Sequence, residues 1–120
     1  GRLTSKYGYR RNPFGRGIRF HKGIDIANSY GTSIKAAGSG IVTFSGTRAG
    51  YGRTIIIKHN SEYQSLYAHN SKNLVKVGDK VEKGQVIAKM GTTGRTTGCH
   101  LHFEIHKNGK TINPLTVLNK

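Results

Sequence analysis

The chain has 120 residues, with 20 Lys and Arg against 5 Asp and Glu and a formal net charge of +15. That is one domain's worth of polypeptide, and 17 Gly with 2 Pro in no triplet repeat exclude both a collagen and a Pro-rich disordered tail. No run approaches the roughly 20 apolar residues of a membrane span, and a single cysteine, Cys99, excludes an intrachain disulfide and a Cys-rich zinc finger.

The opening Gly1-Arg2-Leu3-Thr4-Ser5 has neither Met nor an apolar signal core. The chain therefore reads as a piece of a longer protein, and any membrane attachment is expected from a missing N-terminal region. Residues 22–27 form a short strand, with Asp25 set between Ile24 and Ile26. Residues 40–44, 53–59 and 62–68 are β-branched and aromatic runs, and Asn60-Ser61 between the last two predicts a hairpin. Residues 84–90 continue the pattern, and residues 100–106 alternate polar and apolar at every step, the period of a strand. Two polar Gly-rich stretches, 46–52 and 91–98, are expected to be loops bordering a site. Almost no window of a dozen residues escapes Gly, Pro or Asn, so helices are not expected. The resulting fold class is all-β, with antiparallel sheets in a partly closed barrel or sandwich and long Gly-rich loops walling a groove.

With a single cysteine in the chain, a metal site here would be built from the six histidines and the few acids. His100 and His102 emerge on one face of their strand, opposite Leu101, Phe103 and Ile105. His21 precedes Asp25 by four residues, and a carboxylate between two isoleucines needs a partner, whether a cation or a metal. Two imidazoles and a carboxylate, with water in the fourth position, would make a catalytic rather than a structural zinc site. At this level either His100 or His102 could complete it. His69 is expected at the rim of the sheet, after the strand ends at Ala68, where it could serve as base or oxyanion stabiliser. By alternation His59 shares a face with Ile55 and Ile57 and is expected to be a satisfied core or edge residue, while His106 is expected in solvent. Cys99 should point away from both neighbouring histidines, as a small buried hydrophobe.

His21-x-x-x-Asp25, Tyr67-Ala68-His69 and His100-Leu101-His102-Phe103-Glu104 occur in this order, together with Phe20 to Ala27, Val77 to Gln85, Gly91-Thr92-Thr93-Gly94 and Ile112-Asn113-Pro114-Leu115. Nearly end to end, the chain resembles the lysostaphin/LytM family of zinc metallopeptidases. The resemblance implies a single catalytic domain over residues 1–120 of a longer envelope protein, cleaving cross-link or stem peptides of bacterial peptidoglycan with one Zn²⁺ per chain and a zinc-bound water as nucleophile. It implies His21, Asp25 and His102 as metal ligands, and His69 and His100 as the non-ligand histidines that handle the proton and the oxyanion. Position near the loops makes Tyr51, Tyr67, Asn70, Thr93, Arg95 and Thr96 candidate groove residues. Cys99 and Asn70 stand where the family commonly has Pro or Ala and Leu, without touching a matched ligand.

Residues 77–87 also resemble the hairpin of biotinyl and lipoyl carrier domains, a relation that would leave the histidines and Asp25 without a role. The basic charge is spread along the chain without a recognisable nucleic-acid motif, so peptidoglycan peptides and anionic wall polymers are the expected partners rather than nucleic acid. A monomer outside the cytoplasm, in the periplasm or wall or secreted, completes the reading. Its alternative is a non-catalytic module of the same fold that binds the wall or regulates other hydrolases.

Overall fold

The computed structural model describes residues 2–5, 7–11, 18–94 and 98–118. The strands in chain order are β1 (Arg2–Ser5), β2 (Gly8–Arg11), β3 (Ile18–His21), β4 (Ile24–Ala27), β5 (Ser33–Lys35), β6 (Gly40–Arg48), β7 (Gly52–Lys58), β8 (Tyr63–Asn73), β9 (Lys80–Val81), β10 (Val86–Met90), β11 (His100–Lys107) and β12 (Lys110–Ile112). One helical turn, α1 (Leu115–Leu118), follows. The main sheet is ordered β1-β4-β11-β8-β7-β6-β9, with β12 on β11 and β10 joined to both β8 and β5, while β2 and β3 pair separately. The described pairings are antiparallel, and the sheet is open rather than closed on itself.

Period-two alternation decides what each face carries. Phe103 and Ile105 of β11 face Tyr67 and Ser65 of β8 in register, and these in turn face Ile55 and Ile57 of β7. With Ile24, Val42, Ile34, Ile87 and Ala88 from the other strands, their apolar members make one buried cluster. Side chains one position along point to the opposite face, so His102, Glu104 and His106 leave the core side together. The expected strands are all present, and the 60–61 turn joins β7 to β8 as read.

Three expectations change. The stretch 46–52 is largely hairpin, because β6 runs on to Arg48 and pairs with Gly52. β8 does not stop at Ala68 but continues to Asn73. Between the pairs Ile55↔Tyr67 and Arg53↔Asn70, β8 spends three steps where β7 spends two, a bulge that falls at Ala68 and His69. Tyr67 is core, not groove: it is 1% exposed, its ring lies 5.2 Å from that of Phe103, and its hydroxyl accepts from the Ala37 amide at 2.9 Å and bonds Ser65 at 2.7 Å.

Candidate active site

Three adjacent strands assemble the cleft. In register, Asp25 of β4 faces His102 of β11, and His102 faces Ala68 of β8. The close approach of β4 to β11 depends on Gly23, where a Cβ would stand 2.2 Å from the Phe103 carbonyl oxygen and 2.9 Å from Glu104 Cγ. His102 Nδ1 lies 2.8 Å from Asp25 Oδ1, and its Nε2 lies 2.8 Å from Glu104 Oε2. His21 closes β3 four residues before Asp25, and its side chain lies outside the described residues. Among the described residues no group of three or more His, Cys, Asp or Glu is arranged to hold a metal.

The bulge carries His69 into the same cleft. Its φ is +64°, a left-handed conformation uncommon for a side chain other than glycine and often found where structure serves a site. The amide of His69 donates to the Tyr51 carbonyl at 2.8 Å. Its Nδ1 lies 2.7 Å from the Thr93 carbonyl oxygen, and because a carbonyl only accepts, the proton is on Nδ1 and Nε2 is left as the acceptor. His100 repeats this arrangement, with Nδ1 donating to the Gly98 carbonyl at 3.0 Å and Nε2 turned toward Asp25 Oδ1 at 3.7 Å. The His69 and His100 rings sit 4.8 Å apart, and the His69 and His102 rings 6.1 Å. At 5% exposure His69 is inside the cleft rather than on an open rim. Its burial lowers its pKa against the opposing bond to Thr93, so the imidazole is held neutral.

Electrostatically the centre is a cation position between two carboxylates. Burial works against a charge on His102, but its bonds to Asp25 and Glu104 outweigh burial and push its pKa up to about 9. Burial would likewise raise Glu104, yet bonds from His102 and His106 hold its carboxyl well below the usual carboxylate range. Glu104 is 1% exposed and accepts from His102, from His106 at 2.8 Å and from the Tyr51 hydroxyl at 2.9 Å. Burial, then the Glu104 charge, pushes Tyr51 up to about 12, so it remains a phenol that donates. The Tyr51 ring stacks on His102 at 5.7 Å and 16°.

The other sequence candidates sort by geometry. Thr93 holds the loop rather than lining an open wall: its hydroxyl donates to the Asn70 carbonyl at 2.6 Å and accepts from the Arg53 amide at 2.9 Å. Asn70 is fully buried behind His69, donating to the Tyr67 carbonyl and Asn73, and is scaffold rather than groove. Arg95 and Thr96 lie outside the described residues. His59 is satisfied by the Ser39 carbonyl and the Ser65 hydroxyl, both at 2.7 Å, as alternation suggested. His106 departs from its expectation, since it is bonded to Glu104 rather than free in solvent. Cys99 packs against the core, where burial pushes its thiol pKa up and makes it a poor nucleophile. Parity alone puts Glu104 on the His102 face, but that it also takes bonds from His106 and Tyr51 is what sequence reading missed. The signal was there in the shared parity of positions 102, 104 and 106, but Tyr51 joins only through the fold.

Comparison with known proteins places this arrangement. Residues 19–114 match the description of peptidase family M23. The catalytic domain of the antimicrobial peptidase lysostaphin from Staphylococcus simulans superposes with a TM-score of 0.87 at 35% identity, covering 98% of this chain and 93% of that one. A zinc containing peptidase from Vibrio cholerae superposes at 0.88 with 36% identity, over 93% of this chain and 35% of that one. In sequence, the murein hydrolase activator NlpD of Escherichia coli strain K12 is 50% identical over 106 residues, 88% of this chain and 28% of its own length. This chain thus spans about a quarter of the length of the curated relatives it matches. With an all-β antiparallel fold and a matching span that takes in His21, Asp25, His69, His100 and His102, the chain belongs to peptidase family M23, a family of peptidoglycan hydrolases.

Proposed function

We propose that this domain is a zinc-dependent endopeptidase that hydrolyses peptide bonds in bacterial peptidoglycan, in the cross-link or the stem peptide. The observation that carries the reading is the convergence of Asp25 Oδ1 and His102 Nδ1 at 2.8 Å, with His102 Nε2 bonded to Glu104 behind it. A histidine that presents one nitrogen to a carboxylate-lined position and donates the other N–H to a second carboxylate is built like a metal ligand. The pair of carboxylates already favours a cation on that axis, so the donor chemistry fits. His21, Asp25 and His102 are the residues that would hold the ion. Bound Zn²⁺ would supply a Lewis acid for the peptide carbonyl and acidify water near neutral pH.

The chain's own residues supply the rest. His69 and His100 each have Nδ1 committed to a backbone carbonyl, which leaves Nε2 of each as the group that meets substrate. A neutral His69 Nε2 is competent to accept a proton from attacking water and return it to the leaving amine. His100 Nε2, on the Asp25 side, is placed to hold water or to donate to the developing oxyanion once protonated. Glu104 and Tyr51 fix the ring plane of His102. The surplus of basic side chains suits a wall carrying anionic polymers and argues for a place outside the cytoplasm.

The relative named as a murein hydrolase activator supports a second reading, a wall-binding module that regulates other hydrolases. Two variants separate the readings. His102→Ala is expected to lose zinc and peptide release together, whereas His69→Ala retains zinc and loses turnover. Normal hydrolysis of wall peptides by His69→Ala would remove its assigned role, and no hydrolysis by a zinc-loaded wild type would favour the regulatory module.

A further inference from the structure

Next to the His102–Glu104 pair, on the side away from Asp25, lies a hollow of about 500 Å³ bordered by Lys22, Arg48, Tyr51, Glu104, His106 and Lys110. That volume falls within the range of small-molecule sites. Three side-chain cations meet one carboxylate here, and the carboxylate is already engaged by His102, His106 and Tyr51. Among the described residues none of Lys22, Arg48 and Lys110 is in an ion pair, although Lys107 on the same hairpin is paired with Glu62 at 3.4 Å. Of the chain's acids only Glu104 borders the hollow, while Asp25 is spent in the cleft, Glu62 on Lys107, and Asp79 on the Lys76 amide. A concave site where three side-chain cations face a single carboxylate that is already engaged suits an anion from outside.

We infer that this hollow is a subsite for a carboxylate on the peptide substrate, one that selects acidic peptides for the cleft; the inference rests on the peptidase reading. Arg48 indicates why the anion belongs to the substrate. Its guanidinium lies 5.0 Å over the Tyr51 ring, and the opposite role of that same ring is to stack on His102. An anion held there is one side chain removed from the candidate metal ligand, within reach of a peptide threaded through the cleft. The guanidinium fork matches a planar carboxylate with two parallel bonds, and Lys22 and Lys110 add charge without demanding geometry. Glu104 does not oppose the ligand strongly, because each of its oxygens already accepts a hydrogen bond and it is buried below the floor.

The test uses two synthetic tetrapeptides that differ only in a side-chain carboxylate or carboxamide two residues from the expected cleavage point. Binding to the zinc-loaded domain is measured by NMR titration, and cleavage is followed separately. The acid peptide is expected to bind roughly tenfold or more tightly than the amide. The double variant Arg48→Gln/Lys110→Gln should erase that preference while binding the amide as wild type does, and Lys110→Gln alone should remove part of it, with unchanged melting temperatures. Equal affinity for the two peptides in wild type overturns the inference, as does a preference that survives the double variant. Displacement of the acid peptide by inorganic polyphosphate, at equal charge concentration and as effectively as by the unlabelled peptide, also overturns it, leaving a patch that reads charge alone. Preference without cleavage of either peptide would uphold the subsite and defeat the catalytic reading; cleavage without preference would do the reverse.

Discussion

Glu104 offers the sharpest mutational test of how the cleft is supported. Its two oxygens accept hydrogen bonds of 2.8, 2.8 and 2.9 Å from His102, His106 and Tyr51, at 1% exposure. Glu104→Gln keeps the volume, removes the charge, and turns one acceptor into a donor. With its oxygen placed at the shared position, the amide still accepts from His102 and Tyr51, but as a neutral partner at about half the strength of an ionised one. The amide N–H₂ then faces His106 Nε2, a conflict that the partly exposed His106 relieves by changing tautomer. What is lost is the negative charge behind His102. Removal of such a partner ordinarily weakens metal binding about 10- to 100-fold, which is about 1.4 to 2.8 kcal/mol. Glu104→Ala is less diagnostic, because it adds a cavity and strands two buried donors, together about 3 to 5 kcal/mol of stability. The assay is competition for zinc against a chromophoric chelator, with thermal denaturation alongside. A Glu104→Gln protein that melts like wild type and binds zinc within twofold of it would refute the idea that this carboxylate tunes His102.

Other variants probe separate links. Both His69→Ala and His69→Gly should retain zinc and lose about 10²- to 10⁴-fold in turnover, and the glycine variant should be at least as stable as the alanine one because φ is +64° at this position; a clearly more stable alanine variant would contradict the strained bulge. Gly52 has φ +70°, and a Cβ there would stand 2.3 Å from the Thr93 carbonyl carbon. Gly52→Ala should therefore cost about 2 to 4 kcal/mol and also slow turnover, by displacing the carbonyl that orients His69; calorimetry and kinetics on one sample check both. Tyr67→Phe should lose about 1 to 3 kcal/mol in denaturant melts by leaving the Ala37 amide unsatisfied, with wild-type peptide release, whereas a catalytic defect would return Tyr67 to the groove.

Much of this architecture was legible before any coordinates. β4, β6, β7, β8, β10 and β11 all contain β-branched or alternating runs that mark them as strands, although alternation did not foretell that β8 over 65–70 and β11 over 102–105 are buried on both faces. β1, β2, β3, β5, β9 and β12 have two to four residues each and too little pattern to stand out. The bulge at His69 was not legible for a physical reason: an extra residue in a strand shows only against its partner, here through Arg53 opposite Asn70. Tyr67 and Asn70 were misplaced because position near a loop in sequence does not decide which face of the sheet a side chain takes, and both are buried. His100, His102 and Glu104 could be put on one face by parity alone. The assignment of His102 rather than His100 as ligand came from resemblance; in the structure both imidazoles face Asp25 Oδ1, His102 through Nδ1 at 2.8 Å and His100 through Nε2 at 3.7 Å.

The central claim is hydrolysis of wall peptides at a zinc centre that includes Asp25. Its most direct test is zinc content by elemental analysis of the purified domain, wild type beside Asp25→Ala, followed on the same samples by release of new amino groups from purified peptidoglycan. The account predicts about one zinc per chain with amino-group release in wild type, and neither in a folded Asp25→Ala protein. A wild type that remains metal-free after reconstitution with zinc, or an Asp25→Ala protein that releases peptides at the wild-type rate, would contradict it.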